Sequence, residues 1–371
     1  MDLFDYVQRH QNDGFSKLPL NEVDALILCM ISYINFGLLT TNFDERIAFS
    51  SLTNEQVEYI TKDAVGGKNN NEMLKLLIKT PRFKDLEISY IKEINHNEEE
   101  SRFFAMTFFL PTKEAFIVFR GTDITIIGWK ESINMGYLEE IPSQTESSIY
   151  LNEVVKKFDG NFYIGGHSKG GNLAYFSAYH LDDEDKKRII LVYNFDGPGF
   201  LTSISNEIEK QKYLKNKLIK IVPYNTLVGI LLNNTHHAKV VDSKKRFVLQ
   251  HDGYNWSVDC KKCQFVYLKD RSWRSYVNEI TISKWLSTLS REDVITTCAV
   301  LYEVLDGKNT TVNDLTKNFF KVVRKAISIY NKYDDKTKAM LKRNLHTLIN
   351  IYIKSNEYYR KHSKDLIKNH N

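Results

Sequence analysis

The spacing of hydrophobic residues predicts a helix and then three strands in the first third of the chain. Within residues 21–40, apolar side chains recur at helical spacing, at Val23, Leu26, Ile27 and Met30. This pattern indicates a helix with one face in a core. Residues 86–91, 103–110 and 115–119 are apolar segments separated by turn-forming residues, which predicts antiparallel strands. The third segment is almost entirely apolar, so we expect it in the middle of a sheet.

After residue 140 the pattern changes to helices that alternate with strands. Helices are predicted at residues 145–158, 171–181 and 207–216, and strands at residues 162–164, 189–195 and 218–222. Such alternation is typical of a parallel sheet that carries helices on both faces. The sequence therefore predicts an α/β fold with a mostly parallel central sheet.

The rest of the chain predicts short strands followed by helices. The strands are expected at residues 239–241, 246–249 and 265–267, and helical spacing dominates from residue 282. In the tail, apolar residues recur at helical spacing in two groups, Phe319, Val323, Ile327 and Tyr330, then Leu341, Leu345, Leu348 and Tyr352. We therefore expect one domain at residues 1–280 and a helical C-terminal extension at residues 281–371.

Composition and charge exclude several classes of protein. The 371 residues are 42% hydrophobic and 26% charged, which is typical of a globular protein. The net charge of +5 is too small to indicate a nucleic-acid partner. Residues 301–371, however, hold 15 Lys or Arg against 7 Asp or Glu. This basic tail is interpreted as a solvated helical face, with weak contact to a membrane surface as the alternative.

The N-terminus and the cysteines indicate a cytoplasmic protein. Residues 1–6 lack a basic segment followed by an apolar one, so no signal peptide is predicted. Four cysteines are few for a disulfide-stabilised secreted domain. Cys260 and Cys263 form a lone C-x-x-C pair without the second pair that a zinc site needs. We therefore expect reduced cysteines and no bound metal.

The segment GGHSKGG at residues 165–171 carries the clearest chemical signal. It contains the pattern G-x-S-x-G, as Gly166, Ser168 and Gly170, between a predicted strand and a predicted helix. A nucleophilic serine needs this context, because it sits on a tight turn whose glycines allow a close backbone approach. The helix N-terminus behind the serine also stabilises a developing oxyanion. Ser168 is therefore the candidate nucleophile.

A nucleophilic serine needs a histidine as its base, and His251 is the candidate. It follows the predicted strand 246–249 and opens a loop, as the mechanism requires. His236 and His237 are alternatives. The other histidines after the serine are placed on the following helix or in the basic tail, and they are His180, His346, His362 and His370.

The candidate acid that orients this histidine is Asp196. It ends the apolar strand 189–195 and enters a Gly-Pro-Gly turn, which places a carboxylate at the edge of the sheet. In the alternative interpretation, this carboxylate only stabilises its own turn. Three other aspartates, Asp242, Asp252 and Asp259, are less well placed.

An oxyanion hole needs two backbone N–H groups. The residue after the nucleophile supplies one, here Lys169. The other is expected from Thr122, because it follows the central strand 115–119. Arg120 is a candidate for holding this loop through a carboxylate. Trp129 and Trp256 lie near these loops and are interpreted as core residues.

These segments resemble known hydrolases. The sequences IVFRGTD at residues 117–123 and GHSKGG at residues 166–171 are similar to those of the class three (fungal-type) lipases, a branch of the α/β-hydrolases. More closely, the chain resembles a lipase-like family of Firmicutes proteins known as Mbeg-type domains of unknown function. Segments NEVDAL, GWKE, NFDGPG and QHD carry this likeness, which covers most of residues 1–305. Class three lipases carry their acid after the next strand, but residues 223–228 here contain no carboxylate.

The resemblance implies an α/β-hydrolase fold and a serine esterase of the lipase type. Ser168, His251 and Asp196 would form the triad, with a small-molecule or lipid acyl ester as substrate and no cofactor. The alternative is a catalytically weak or inactive hydrolase fold that binds a partner, since the acid is missing from its usual position.

Overall fold

The computed structural model describes residues 1–96, 101–122, 131–132, 134–136, 138–233, 237–305 and 319–368. Eleven strands lie in this part of the chain: β1 (Ile47–Ala48), β2 (Glu87–His96), β3 (Ser101–Phe109), β4 (Ala115–Phe119), β5 (Phe162–His167), β6 (Ile189–Phe195), β7 (Leu218–Pro223), β8 (Ala238–Val241), β9 (Val258–Asp259), β10 (Gln264–Phe265) and β11 (Tyr267–Leu268). Nine of them form one sheet, in the order β1 to β8 and then β11. Strands β4 to β8 run parallel, whereas β1 to β4 and the β8–β11 pair are antiparallel.

Thirteen α-helices are described: α1 (Leu3–Arg9), α2 (Glu22–Ile31), α3 (Asn54–Thr61), α4 (Gly67–Leu77), α5 (Pro142–Lys156), α6 (Lys169–His180), α7 (Asp183–Arg188), α8 (Thr202–Lys210), α9 (Lys212–Lys215), α10 (Trp273–Leu286), α11 (Arg291–Leu305), α12 (Phe319–Lys332) and α13 (Asp335–Lys368). The helix predicted within residues 21–40 is present, but it ends at Ile31. Asn21 begins it, since its side chain accepts hydrogen bonds from the amides of Val23 and Asp24.

Hydrophobic cores cover both faces of the sheet, as predicted. Along β4, Phe116 and Val118 face a core that includes buried residues of α1, α2 and α4. Ile117 and Phe119 face the opposite core, which is completed by α5 and α6. Neighbouring side chains of a strand point to opposite faces, so a strand buried on both faces must be apolar throughout. This explains the continuous apolar segment that indicates a central position for β4.

The N-terminal helices hold the segment that follows β8. The amide of Val258 donates to the carbonyl of Met1 (3.0 Å), and Nε2 of His10 lies 2.6 Å from the carbonyl oxygen of Cys260. The rings of Phe4 and Tyr254 stack with centroids 5.7 Å apart. Residues 251–260 are therefore fixed against the start of the chain.

One predicted strand is wrong. The apolar segment 246–249 predicts a strand, but Phe247–His251 form a 3₁₀ helix in the structure. The side chain of Gln250 explains the turn, because it bonds the carbonyl of Lys245 and the amide of Asn225. These local bonds replace those that a strand partner would provide.

Helix α10 contacts the loop after β7, where Oγ of Ser275 donates to the carbonyl of Thr226 (3.2 Å). The indole Nε1 of Trp285 in α10 donates to the carbonyl of Asn344 in α13. The predicted boundary between residues 280 and 281 falls inside α10, and the division into two domains stays a prediction. Within the described residues, no helix is long and apolar enough to cross a membrane.

Candidate active site

Ser168 lies at a sharp turn between β5 and α6. Its φ of 58° and ψ of −134° place it in a region that L-residues rarely adopt. The turn is held by the amide of Ser168, which donates to the carbonyl of Phe195 at the end of β6 (2.9 Å). Such strain at the N-terminus of a helix is typical of a nucleophilic serine.

The glycines around this turn have no room for a side chain. A Cβ atom on Gly170 would lie 2.0 Å from the carbonyl oxygen of Phe119, and one on Gly166 would lie 2.2 Å from the Gly170 backbone. A Cβ atom on Gly121 would lie 3.0 Å from Cβ of Ser168. The end of β4 therefore touches the turn directly, which brings the predicted oxyanion loop beside the serine.

Asp196 and His251 are brought together, although 55 residues separate them. Nδ1 of His251 lies 2.7 Å from Oδ2 of Asp196. The carboxylate is fully buried, whereas the imidazole is 30% exposed. Because a carboxylate only accepts hydrogen bonds, the proton of the neutral ring is on Nδ1, which leaves the lone pair on Nε2. The histidine is thus held in the tautomer that a general base needs.

The other carboxylate oxygen of Asp196 is held by the loop that follows β7. Its Oδ1 accepts from Oγ1 of Thr226 (2.5 Å) and from the amide of Gly229 (3.2 Å). Gly229 in turn accepts a hydrogen bond through its carbonyl from Lys220 (2.9 Å), and burial lowers the pKa of Lys220 to about 7. Residues 223–229 therefore supply hydrogen-bond donors to Asp196, at the place where class three lipases carry their acid.

Asp196 does not stabilise its own Gly-Pro turn by the bonds described. The amide of Gly197 in that turn donates instead to Oδ1 of Asn194. The other candidate acids have different partners. Asp252 accepts from the amide of Tyr254, and burial raises its pKa.

Among the described histidines, His251 is the one that bonds Asp196. His180 bonds the carbonyl of Phe176 and lines a cavity of about 870 Å³ between α6 and α8. His237 is exposed, and His236 lies outside the described residues, as do Trp129 and His370. The core interpretation of Trp256 is confirmed, since it is fully buried and its indole donates to the carbonyl of Gln250.

The two predicted oxyanion residues lie on either side of the turn. Thr122 follows the end of β4 after Arg120 and Gly121, and its hydroxyl lies 2.7 Å from Oγ of Ser132. Lys169 is the first residue of α6. Arg120 does contact a carboxylate, with Nη2 at 3.3 Å from Oε1 of Glu93.

A buried ion pair that sequence reasoning missed fixes Lys169. Its ammonium group lies 2.5 Å from Oε2 of Glu131, and both side chains are 1% exposed. Glu131 also accepts from the amide of Arg102 and from the amide and hydroxyl of Ser143. A buried charge pair is stable only when such additional bonds satisfy it. The GWKE segment at residues 128–131 is the only sequence signal for this role.

A second missed contact lies beneath the serine. His167 is buried, with Nδ1 3.1 Å from Oη of Tyr33 and Nε2 2.7 Å from the carbonyl oxygen of His251. Burial, followed by the nearby His251, lowers the pKa of His167 to about 3. The motif G-H-S includes this histidine, but nothing in the pattern indicates its partners.

Strands β4 to β8, the strained Ser168 after β5 and the bonded Asp196 and His251 after later strands are the features of an α/β-hydrolase fold. The chain belongs to the Mbeg1-like family, whose model matches residues 77–303. The resemblance drawn from the sequence is thereby confirmed. No curated protein matches this sequence.

Three solved structures are similar to part of the chain. A Rhizomucor miehei lipase in a propeptide complex is 15% identical, with 60% of this chain and 67% of that one covered and a TM-score of 0.36. A mutant form of MDLA from Penicillium cyclopium is 12% identical, with 62% and 83% covered and a TM-score of 0.35. A structure described as a fungal lipase is 11% identical, with 65% and 84% covered and a TM-score of 0.38.

Proposed function

We propose that this protein is a serine hydrolase of the lipase or esterase type that cleaves an acyl ester. Ser168 is the nucleophile, His251 the general base and Asp196 the acid that orients it. The observation that carries the proposal is the 2.7 Å bond between His251 Nδ1 and buried Asp196. This bond is present at the same sheet edge as a serine with φ of 58°.

The reaction follows from these roles. Oγ of Ser168 attacks the ester carbonyl carbon while its proton passes to Nε2 of His251. The oxyanion that forms is bound by the amides of Thr122 and Lys169. When the tetrahedral intermediate collapses, the C–O bond of the ester breaks and the leaving alkoxide takes the proton from His251. Water then attacks the acyl-enzyme with His251 again as the base, which releases the acid and restores the Ser168 hydroxyl.

The surroundings of Asp196 support this assignment. A buried carboxylate that accepts hydrogen bonds on both oxygens cannot rotate, so it is held where it can stabilise the imidazolium that forms during attack. The acid that lipases carry after the next strand is replaced here by the donors Thr226 and Gly229. This removes the main sequence argument for an inactive binding module. The acyl group and its alcohol are proposed as lipid-like on family resemblance alone.

The test is covalent labelling of the purified protein with a fluorophosphonate probe, followed by peptide mass spectrometry. Ser168→Ala and His251→Ala are run beside the wild type. Glu55→Gln serves as a control at an exposed acidic position far from the triad in sequence. We expect an adduct on Ser168 in the wild type and the control, and none in either triad variant.

A labelled wild type would next be given acyl esters of increasing chain length. An unlabelled but folded wild type would contradict the proposal and favour a hydrolase fold that binds a partner. An adduct on Ser168 that persists unchanged in His251→Ala would assign the base to another residue.

A further inference from the structure

The contacts of His167 fix where its proton lies. Nε2 lies 2.7 Å from the carbonyl oxygen of His251, and a carbonyl oxygen only accepts, so Nε2 carries the hydrogen. Nδ1 of the neutral ring must then accept, and the hydroxyl of Tyr33 at 3.1 Å donates to it. Both side chains are buried, at 5% and 6% exposure. One arrangement of hydrogens therefore satisfies the whole group.

The same two side chains touch three parts of the proposed site. His167 directly precedes Ser168, and its ring lies 4.6 Å from that of His251. The hydroxyl of Tyr33 lies against Gly121, where a Cβ atom would be 2.1 Å from it. Gly121 precedes the proposed oxyanion donor Thr122. His167 and Tyr33 therefore connect the turn at Ser168, the main chain of His251 and the loop that holds Thr122.

We propose that His167 and Tyr33 are positioning residues that hold the main chain of His251 in register with Ser168 and the oxyanion loop. This inference rests on the proposed function. His167 takes no part in the proton transfer itself, because its two nitrogens are engaged with the carbonyl of His251 and with Tyr33. Its role is to fix the carbonyl of His251, so that the imidazole keeps both its bond to Asp196 and its approach to the serine.

Two replacements of His167 distinguish the loss of its hydrogen bond to the carbonyl of His251, here called the link, from the loss of the imidazole ring. The amide of Gln reaches about as far as Nε2 of histidine, whereas the amide of Asn reaches only as far as Nδ1. We expect the fluorophosphonate labelling rate of His167→Gln to stay within about threefold of wild type. His167→Asn should lose about a hundredfold, and Tyr33→Phe should lie between them.

The pH profile of the labelling rate distinguishes positioning from a general loss of packing. The titratable groups that face His251 are Asp196, His167 and Asp252. Both variants remove the ring of His167 equally, so a difference between them reports the lost link. We expect the pH profile of His167→Gln to match that of wild type and the profile of His167→Asn to differ from it, because only the Gln amide restores the bond to the carbonyl of His251.

Histidine nitrogen NMR of the full chain gives a readout that does not need activity. The spectra should show His167 with its proton on Nε2, and His251 with its proton on Nδ1 only while the link is intact. If the wild type is not labelled but gives these spectra, the proposed function is refuted while the hydrogen bond between His167 and the carbonyl of His251 is supported. Equal labelling rates, pH profiles and His251 spectra in the Gln and Asn variants would overturn the inference.

A different observation carries a second inference, on helix α13. Leu345, Ile349, Tyr352 and Ile353 form an apolar stripe along one side, and each is between 38% and 58% exposed. The opposite side packs on α10, where Asn344 and Ser355 are buried. The helix predicted from the apolar spacing is therefore confirmed, but much of its apolar side is exposed to solvent.

Charge indicates what covers the stripe. Lys342 and Arg360 are exposed on the same side of the helix, and α13 as a whole carries nine Lys or Arg against three Asp or Glu. Antiparallel pairing of two copies about Ile349 would place Lys338 of one helix opposite Arg360 of the other, which disfavours self-association. Apolar side chains next to basic ones instead match an anionic lipid surface, whose acyl chains contact the apolar groups and whose phosphates contact the basic groups.

We infer that the stripe of α13 docks on anionic membrane. The full-length protein is sedimented with vesicles of phosphatidylcholine alone or with about one quarter phosphatidylglycerol, at low salt and at about 0.5 M salt. We expect at least about tenfold more binding to the anionic vesicles, lost at high salt and in Ile349→Ser/Ile353→Ser. Lys17→Gln, at an exposed lysine outside the tail, should bind like wild type.

Two results would overturn the docking inference. One is the absence of vesicle binding, or equal binding to neutral and anionic vesicles. The other is a concentration-dependent dimer in analytical ultracentrifugation that Ile349→Ser dissociates, since the stripe would then be covered by a second copy.

Discussion

Replacement of Asp196 by asparagine tests the triad most directly. Oδ1 of Asp196 accepts from Thr226 and from the amide of Gly229, and an amide N–H cannot accept. In the Asp196→Asn variant the side-chain oxygen must therefore occupy this side, which leaves the new NH2 group facing Nδ1 of His251. That nitrogen then has to accept, so the proton moves to Nε2, and the histidine can no longer take the proton of Ser168.

The expected loss of activity is large because His251 would carry its proton on Nε2 and not on Nδ1. Such a change costs about ten-thousandfold in kcat, or about 5.5 kcal/mol in the activation free energy. The free energy of unfolding should change less, by about 1.5–3 kcal/mol, because one charge-assisted hydrogen bond is weakened and the shape is kept.

The assay compares ester hydrolysis and fluorophosphonate labelling in Asp196→Asn with a urea unfolding curve of the same variant. Asp252→Asn is the matched control, because this carboxylate is next to His251 in sequence but bonds the amide of Tyr254. We expect the control to stay within about threefold of wild type. A folded Asp196→Asn protein within about tenfold of wild type would refute the role of Asp196.

Three further predictions concern stability. Glu131→Gln should lower the free energy of unfolding by about 3–5 kcal/mol, because Lys169 would stay buried without its counter-charge. Adding Lys169→Met should recover part of this loss. If urea unfolding shows that the double variant loses the sum of the two single losses, the pairing is contradicted. The unfolded chain takes up a proton near pH 6.5 that His167 refuses in the folded protein until about pH 3. The free energy of unfolding therefore falls as the pH drops below about 6.5, by about 2 kcal/mol at pH 5. Urea unfolding measured at several pH values should show a weaker dependence of this free energy on pH in His167→Gln than in wild type. Gly170→Ala should destabilise by about 1–3 kcal/mol or more, since its Cβ would lie 2.0 Å from a carbonyl oxygen, whereas Gly14→Ala meets nothing within 4 Å and should be neutral in thermal unfolding.

Much of the fold could be predicted because its central strands are buried on both faces. The strand at residues 189–195 has the bounds that the apolar segment predicts, and Asp196 follows it as expected. The position of Ser168 between a strand and a helix could also be predicted, since the pattern G-x-S-x-G is local. His251 is predicted from a strand end that does not exist, yet it is the histidine that reaches Asp196.

The contacts that complete the site could not be predicted from local patterns. Lys169 meets Glu131 across 38 residues, and Tyr33 meets His167 across 134. Each pair forms only when several strands and helices have packed, and each is made of residue types that are common on surfaces. The apolar stripe of α13 shows the converse, because helical spacing indicates an amphipathic helix but not whether protein or solvent faces its apolar side.

The attachment of residues 251–260 to the first helices has a consequence for the growing chain on the ribosome. Ser168 and Asp196 are synthesised long before His251, and Met1 and His10, at the two ends of α1, have no partners until Val258 and Cys260 have been made. At about 5–20 residues per second, this interval lasts several seconds at least. Under the proposed function, the nascent chain therefore carries Ser168 without its base until most of residues 1–280 have been made.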